Sequence, residues 1–161
     1  MQAALKESPV VLLHGARQTG KSTLVQHISR RHPAQYFTLD DPTVFTAANT
    51  SPDDFINGLE GPVVIDEVQR APDLFRAIKL SVDRRRQAGR FLLTGSANML
   101  LIPRLSESLA GRMAILTLDP FSQGELENGS DGFITGAFAK QWKQPMVPTR
   151  INRASLARCV A

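Results

Sequence analysis

Short apolar runs alternate with segments of helical periodicity along most of the chain. The apolar runs are rich in β-branched residues, and their central positions are all apolar, as in "PVVLLH" and "GPVVID". A strand that is buried on both faces has this character, because neither face can carry polar side chains into the core. Strands of this kind in alternation with helices are typical of a parallel sheet with crossover helices.

The pattern predicts five strands, which lie at about 9–14, 35–40, 61–67, 90–96 and 113–120. It also predicts a helix at 21–31, two short helices within 40–59 that begin at Asp-Pro and Ser-Pro, and a helix from Pro72 to Gly89. A short helical stretch is expected through Leu109. The fold class is therefore α/β.

The segment "GARQTGKS" follows the first strand and ends where the first long helix begins. Its glycines let the backbone turn with N–H groups facing inward, and they let an anion approach without a Cβ in the way. Lys21 offers an ammonium to the outer phosphates of a nucleotide, the Ser22 hydroxyl can bind Mg²⁺, and the helix dipole favours the same anion. An ordinary glycine-containing turn does not explain this strand–loop–helix context. The predicted nucleotide-binding residues are Gly15, Ala16, Arg17, Gln18, Thr19, Gly20, Lys21, Ser22 and Thr23.

Two adjacent carboxylates, Asp66 and Glu67, come directly after the apolar run 63–65. Carboxylates at the end of a buried strand are costly unless a cation or a water network uses them. The alternative is a solvated turn with two acids, which the phosphate loop about fifty residues earlier disfavours. We predict that Asp66 holds Mg²⁺ through water, with Ser22 as the other metal-binding residue. Glu67 is predicted to orient and deprotonate the attacking water.

The fourth strand ends in small hydroxyl and amide groups, at Thr94, Ser96 and Asn98. Beside the two carboxylates, such groups could hydrogen-bond a γ-phosphate and the attacking water. A Gly-Ser turn with an N-capping residue for the next helix explains them equally well. Ser96 is the candidate catalytic residue of this segment.

Arg104 and Arg112 precede the last strand, and each has two explanations. An isolated arginine before a strand is usually a solvated charge. In oligomeric ATPases an arginine here can reach the γ-phosphate of a neighbouring subunit and stabilise transition-state charge. Arg112 is the candidate for this catalytic role.

The length of 161 residues, with 42% hydrophobic and 21% charged residues, is typical of one globular domain. No apolar run exceeds six residues, which is too few to span a membrane, and no signal peptide is recognisable. The single cysteine, Cys159, excludes an intramolecular disulfide and fits a reducing compartment. We predict a cytoplasmic protein with no membrane partner.

The net charge of +4 belongs to the C-terminal segment. Residues 1–127 hold 14 basic and 14 acidic residues, whereas 128–161 hold five basic residues and one acidic residue. A basic segment can bind nucleic acid, and "RRR" at 84–86 would add to such a surface. Five charges over this length also fit one face of an element whose partner is missing. The composition becomes rich in Gly, Ser and Pro after residue 127, so we predict a domain boundary there and a truncated lid or partner domain in 128–161.

Five segments carry a resemblance to a known family: "LLHGARQTGKSTL", "YFTLDDP", "VVIDEVQRAPDLFRAIK", "FLLTGSANMLL" and "SLAGRMAILTLDPFSQGEL". In this order and spacing they resemble the AAA ATPase domain of prokaryotic proteins that also carry a C-terminal domain of unknown function. The resemblance covers residues 10 to about 127. It implies an AAA+-like three-layer sandwich, with a five-stranded parallel sheet in the order 5-1-4-3-2 and with ATP and Mg²⁺ as cofactors.

For individual residues, the resemblance implies Gly20, Lys21 and Ser22 as the nucleotide loop and the acid pair as the magnesium and catalytic residues. It implies Ser96 in the polar sensor region, and it aligns Arg112 with the trans-acting arginine of related ATPases. The expected function is an ATPase domain that drives or gates a partner domain, in a homo-oligomer. The AAA+ lid has no counterpart before residue 161, so we expect slow turnover. The alternative is a nucleotide-gated switch with little turnover, with or without a nucleic-acid partner.

Overall fold

A five-stranded parallel sheet with helices on both faces organises the chain. The computed structural model describes residues 1–31, 33–96 and 109–121, and the described residues up to Pro120 form one compact unit. The strands are β1 (Val10–Gly15), β2 (Gln35–Thr38), β3 (Val63–Asp66), β4 (Phe91–Ser96) and β5 (Met113–Thr117). The helices are α1 (Gln2–Glu7), α2 (Lys21–Arg31), α3 (Pro42–Thr50), α4 (Pro52–Asn57) and α5 (Leu74–Arg84), and a 3-10 turn spans Val68–Arg70.

The strand order is β2-β3-β4-β1-β5, and every neighbouring pair is parallel. This confirms the predicted α/β class and the order 5-1-4-3-2, which is the same order read from the other edge. Because all strands run in one direction, their carboxyl ends lie at one end of the sheet. Gly15, Asp66 and Ser96 are the last residues of β1, β3 and β4, so the topology collects them there.

Alternate residues of the central strands enter two separate apolar cores. On one face Leu12 packs in a cluster with Phe75 of α5, and on the other face Leu13 packs in a cluster with Val25 of α2 and Leu5 of α1. Both faces of the sheet are therefore covered, which is the physical reason for the uninterrupted apolar runs in the sequence.

The predicted strand bounds differ from the structure by at most three residues. β2 ends at Thr38 because the side chain of Asp41 caps α3, with Oδ1 accepting from the N–H groups of Thr43 at 2.7 Å and Val44 at 3.3 Å. The prediction that the following long helix continues to Gly89 is wrong, since α5 ends at Arg84.

The helix α1 is absent from the sequence prediction, because its six residues are too few to establish a period. The helical stretch predicted before Leu109 and the domain boundary predicted near 127 lie outside the described residues. No helix in the described part of the chain is long and apolar enough to cross a membrane.

Candidate functional site

The two glycines of the loop between β1 and α2 are required for different physical reasons. A Cβ on Gly15 would lie 2.2 Å from the carbonyl oxygen of Leu118, where the chain leaves β5. Gly20 has a φ of +85°, a conformation that residues with a side chain rarely adopt, and there is open space around it. Close approach thus selects glycine at the first position, and backbone conformation selects it at the second.

Lys21 is 6% exposed, and its ammonium group is enclosed by the backbone of the loop between β1 and α2. Nζ donates to the carbonyl oxygens of Ala16 at 2.6 Å and Gly15 at 3.1 Å, and it lies 3.5 Å from Oγ1 of Thr19. The lysine therefore organises the loop and also places a positive charge at its centre.

A polar cavity of about 700 Å³ lies against this loop. Its lining consists of Arg17, Gln18, Gly20, Lys21, Ser22, Thr23 and Glu67. The first N–H groups of α2 face no carbonyl of their own helix, so they are available to a ligand. The combination of these donors, the helix dipole and two cationic side chains is suited to a phosphate chain.

The two carboxylates of the acid pair lie in different surroundings. Asp66 is 4% exposed, and its carboxylate accepts hydrogen bonds from the Tyr36 hydroxyl at 2.7 Å and from the Thr94 hydroxyl. Glu67 leaves the sheet with a left-handed backbone, at φ 59°, and lines the cavity. The Nε2 of Gln69 donates to its Oε2. The structure therefore separates a buried, fixed carboxylate from one at the cavity.

Tyr36 is the phenol donor to the buried carboxylate. Burial, together with the hydrogen bond to Asp66, raises the pKa of Tyr36 from 10.0 to about 12. The phenol therefore stays protonated over the physiological range and remains a donor to Asp66.

Thr94, rather than Ser96, contacts the acid pair. Its hydroxyl donates to Asp66 and accepts from the N–H of Glu67 at 3.1 Å. Ser96 is the last residue of β4 and is paired in register with Gly15, so it lies beside the start of the loop. Asn98 lies outside the described residues.

Arg112 lies at the other end of the sheet from the loop. Its carbonyl accepts from the N–H of Val10, the first residue of β1, so the length of a six-residue strand, about 17 Å, separates it from Gly15. The guanidinium contacts Asp83 at 2.5 Å and the carbonyl of Ala110 at 3.1 Å. Within one chain the structure does not bring Arg112 to the cavity, and Arg104 lies outside the described residues.

Two contacts to the acid pair, from Tyr36 and Gln69, are absent from the sequence prediction. Tyr36 comes from β2, and Thr38 of that strand pairs with Asp66, so the strand order contains a signal for it. Gln69 follows Glu67 by two residues, and only the turn conformation shows that its amide reaches back.

A second cavity, of about 360 Å³, has a mainly aliphatic lining. It lies among α1, α2 and β3, and among the described residues that line it Lys6 is the only charged one. No carboxylate is among the described residues of its lining, so the polar cavity at the loop is the better candidate for phosphate chemistry.

The sequence matches a protein family described as "AAA domain" over residues 7–127. Two curated mycobacterial relatives, the uncharacterized proteins Rv2008c of Mycobacterium tuberculosis and Mb2031c of Mycobacterium bovis, are each 42% identical to it over 118 residues. The alignment covers 73% of this chain and 26% of each relative, so the chain spans about a quarter of their length. Among solved structures, the Walker-type ATPase PABY2304 of Pyrococcus abyssi shares the fold, with a TM-score of 0.54 at 18% identity, over 89% of this chain and 57% of that one.

Proposed function

Because the chain belongs to the AAA domain family of P-loop ATPases, we propose that it binds ATP with Mg²⁺ and hydrolyses it. The observation that carries this proposal is the position of Glu67. In the described part of the chain it is the one residue from outside the loop 15–23 that lines the polar cavity. A carboxylate facing a phosphate-binding cavity is suited to accept a proton from water at the γ-phosphate.

The phosphate chain is bound by residues 15–23 in this proposal. The backbone N–H groups of the loop and of the first turn of α2 donate to the phosphate oxygens, and the Lys21 ammonium is close enough to the loop centre to compensate their charge. Arg17 adds a second positive charge at the cavity.

Mg²⁺ in nucleotide sites takes one or two protein ligands together with phosphate oxygens and waters. Asp66 and Ser22 fit this requirement. In the described part of the chain the donors to Asp66 are two neutral hydroxyls, which leave its negative charge available to a cation. When bound, the ion supplies positive charge to the phosphate oxygens.

Hydrolysis requires an attacking water that is held and deprotonated. Glu67 accepts the proton while the water oxygen bonds to the γ-phosphorus and the bond to the β-phosphate oxygen breaks, giving ADP and phosphate. Thr94 supports this step by holding the backbone N–H of Glu67. Ser96 pairs in register with Gly15 at the start of the loop, and in this proposal it contacts the phosphates from the side of β4.

Coupling of hydrolysis to a further domain is part of the proposal. The chain spans about a quarter of its curated relatives, so in those relatives there is room for a domain that the nucleotide drives or gates. A slow rate with long-lived ATP binding would indicate a switch, whereas rapid turnover would indicate a motor.

The test compares ATP turnover and nucleotide binding in three variants. Glu67→Gln should keep ATP and Mg²⁺ bound and should lose about a hundredfold or more in turnover, because an amide cannot accept the proton. Lys21→Ala should bind ATP much more weakly, because the phosphate charge loses its ammonium partner. Glu60→Gln, at an exposed carboxylate, is the matched control and should behave as wild type. Native turnover in Glu67→Gln would contradict the acid assignment, and native affinity in Lys21→Ala would contradict the loop.

A further inference from the structure

Gln69 lies on the 3-10 turn that follows the acid pair, and its amide reaches back to the glutamate. Its Nε2 donates to Oε2 of Glu67. We propose that Gln69 is the positioning residue that fixes the Glu67 carboxylate in the polar cavity. This inference rests on the proposed function, because it concerns the orientation of the base for hydrolysis.

The backbone of Glu67 is already held on both sides. Its N–H donates to Thr94, and its carbonyl accepts from the N–H of Arg70 at 3.0 Å. What remains free is rotation about the side-chain bonds of Glu67, which can swing the carboxylate by several ångströms. The contact with Gln69 removes that freedom, so the carboxylate occupies one position before a substrate arrives.

The chemistry of the contact suits a base. An amide N–H₂ group donates without carrying a charge, and it has no proton to exchange with a carboxylate at neutral pH. It occupies Oε2 of Glu67 and leaves Oε1 to accept from a water in the cavity. A lysine or arginine at this position would hold the carboxylate too, but its positive charge would weaken the carboxylate as a proton acceptor.

The surroundings of Gln69 indicate that its side chain has a role beyond stabilising the fold. Its own Oε1 is buried and has no hydrogen-bond partner in the described part of the chain. A buried acceptor without a partner is unfavourable, and methionine has nearly the same length without that acceptor. The fold would therefore tolerate methionine at least as well as glutamine, whereas the orientation of Glu67 would not.

The experiment uses Gln69→Met, with the exposed Gln87→Met as the matched control. Gln69→Met should lower kcat for ATP by about tenfold to a hundredfold, with KM and nucleotide affinity within about twofold of wild type. Its melting temperature should equal or exceed that of wild type, because the unpaired acceptor is gone. Gln87→Met should leave all of these quantities unchanged.

A double variant separates this inference from the proposed function. If Gln69 acts through Glu67, adding Gln69→Met to Glu67→Gln should leave the residual rate unchanged, because the base is already absent. A wild-type kcat in Gln69→Met, a further loss in the double variant, or a loss that follows a lower melting temperature would overturn the inference alone. Native turnover in Glu67→Gln would instead overturn the proposed role of the base, and the inference with it.

Discussion

The hydroxyl of Thr94 acts both as a hydrogen-bond donor and as an acceptor at the acid pair. It donates to the carboxylate of Asp66 and accepts from the N–H of Glu67. A hydroxyl has one donor and two acceptor lone pairs, so one side chain can position both acids at once. Thr94 is fully buried, and water therefore does not compete for either contact. These two hydrogen bonds hold the side chain of Asp66 in the sheet and the backbone of Glu67 in place, while the side chain of Glu67 lines the cavity.

Tyr36 is the other donor to Asp66, and the free energy of unfolding at alkaline pH tests this hydrogen-bond network. With a folded-state pKa of about 12 against 10.0, Tyr36 keeps its proton between these values while the unfolded chain loses it. The unfolded state then binds fewer protons, so the free energy of unfolding falls as pH rises from about 10 to 12. Each pKa unit corresponds to about 1.4 kcal/mol, and partial exposure of the phenol reduces the expected loss to the order of 1 kcal/mol.

Tyr36→Phe should lack this component, so its stability difference from wild type should shrink over the same pH range in urea unfolding. Because Tyr36 is the single tyrosine of the chain, its ionisation can also be followed directly by the ultraviolet absorbance of tyrosinate. A titration midpoint near 10 in the folded protein would contradict the burial and the contact with Asp66.

At the scale of elements, the sequence predicts well what depends on burial of whole faces. The continuous apolar runs predict β1, β3 and β4 because these central strands are covered on both sides. The glycine pattern predicts the loop before α2, because a Cβ at Gly15 would clash with the backbone and Gly20 has a positive φ. The strand order comes from the resemblance to a family rather than from periodicity.

The sequence does not predict which side chains of different elements contact each other. Tyr36 and Thr94 meet Asp66 only because β2 and β4 flank β3 in one particular register. A shift by one residue would turn each side chain to the opposite face, and no apolar run encodes that choice. The contact of Gln69 likewise depends on the left-handed backbone of Glu67, which is uncommon for a residue with a side chain.

The close approach of the end of β5 to Gly15 predicts that alanine is more damaging at Gly15 than at Gly58. Gly15→Ala would place a Cβ 2.2 Å from the Leu118 carbonyl oxygen, so either the end of β5 or the start of the loop must move. We expect a loss of about 1–3 kcal/mol in the free energy of unfolding, together with weaker ATP binding.

Gly58→Ala is the matched control, because Gly58 has a helical φ of −74° and its Cβ would lie 3.3 Å from the nearest atom. It should change stability little and leave nucleotide affinity at the wild-type value. Urea unfolding and a nucleotide titration check both variants. Equal effects at the two positions would show that the approach of β5 to the loop is unimportant.

At the scale of the whole molecule, parallel topology assigns different chemistry to the two ends of the sheet. The carboxyl ends of the strands carry the loop and the acid pair, and the amino ends carry Arg112 with its partner Asp83. An arginine at the amino end cannot serve the cavity of its own chain at this distance. Two roles are open to it: an ion pair that ties β5 to α5, or a charge offered to the nucleotide of a neighbouring copy.

Two single variants distinguish these roles. Arg112→Ala and Asp83→Asn remove the same partly exposed ion pair, so each should lower stability by up to about 1 kcal/mol. If Arg112 acts on a neighbour, only Arg112→Ala should lower ATP turnover, and only at concentrations where light scattering detects self-association with ATP. Equal turnover losses in both variants would assign Arg112 to the ion pair alone.

Mixing two defective variants provides the decisive measurement for the assembly. Lys21→Ala cannot bind ATP well but retains Arg112, whereas Arg112→Ala retains an intact cavity at the opposite end of the sheet. In a mixed oligomer, the cavity of an Arg112→Ala chain can face the arginine of a Lys21→Ala neighbour. If Arg112 acts on a neighbouring chain, turnover of the mixture should exceed the sum of the two separate activities, with an arginine contribution of about a thousandfold at each restored site. A strictly additive mixture, or full turnover by a monomeric Arg112→Ala chain, would rule out action between subunits.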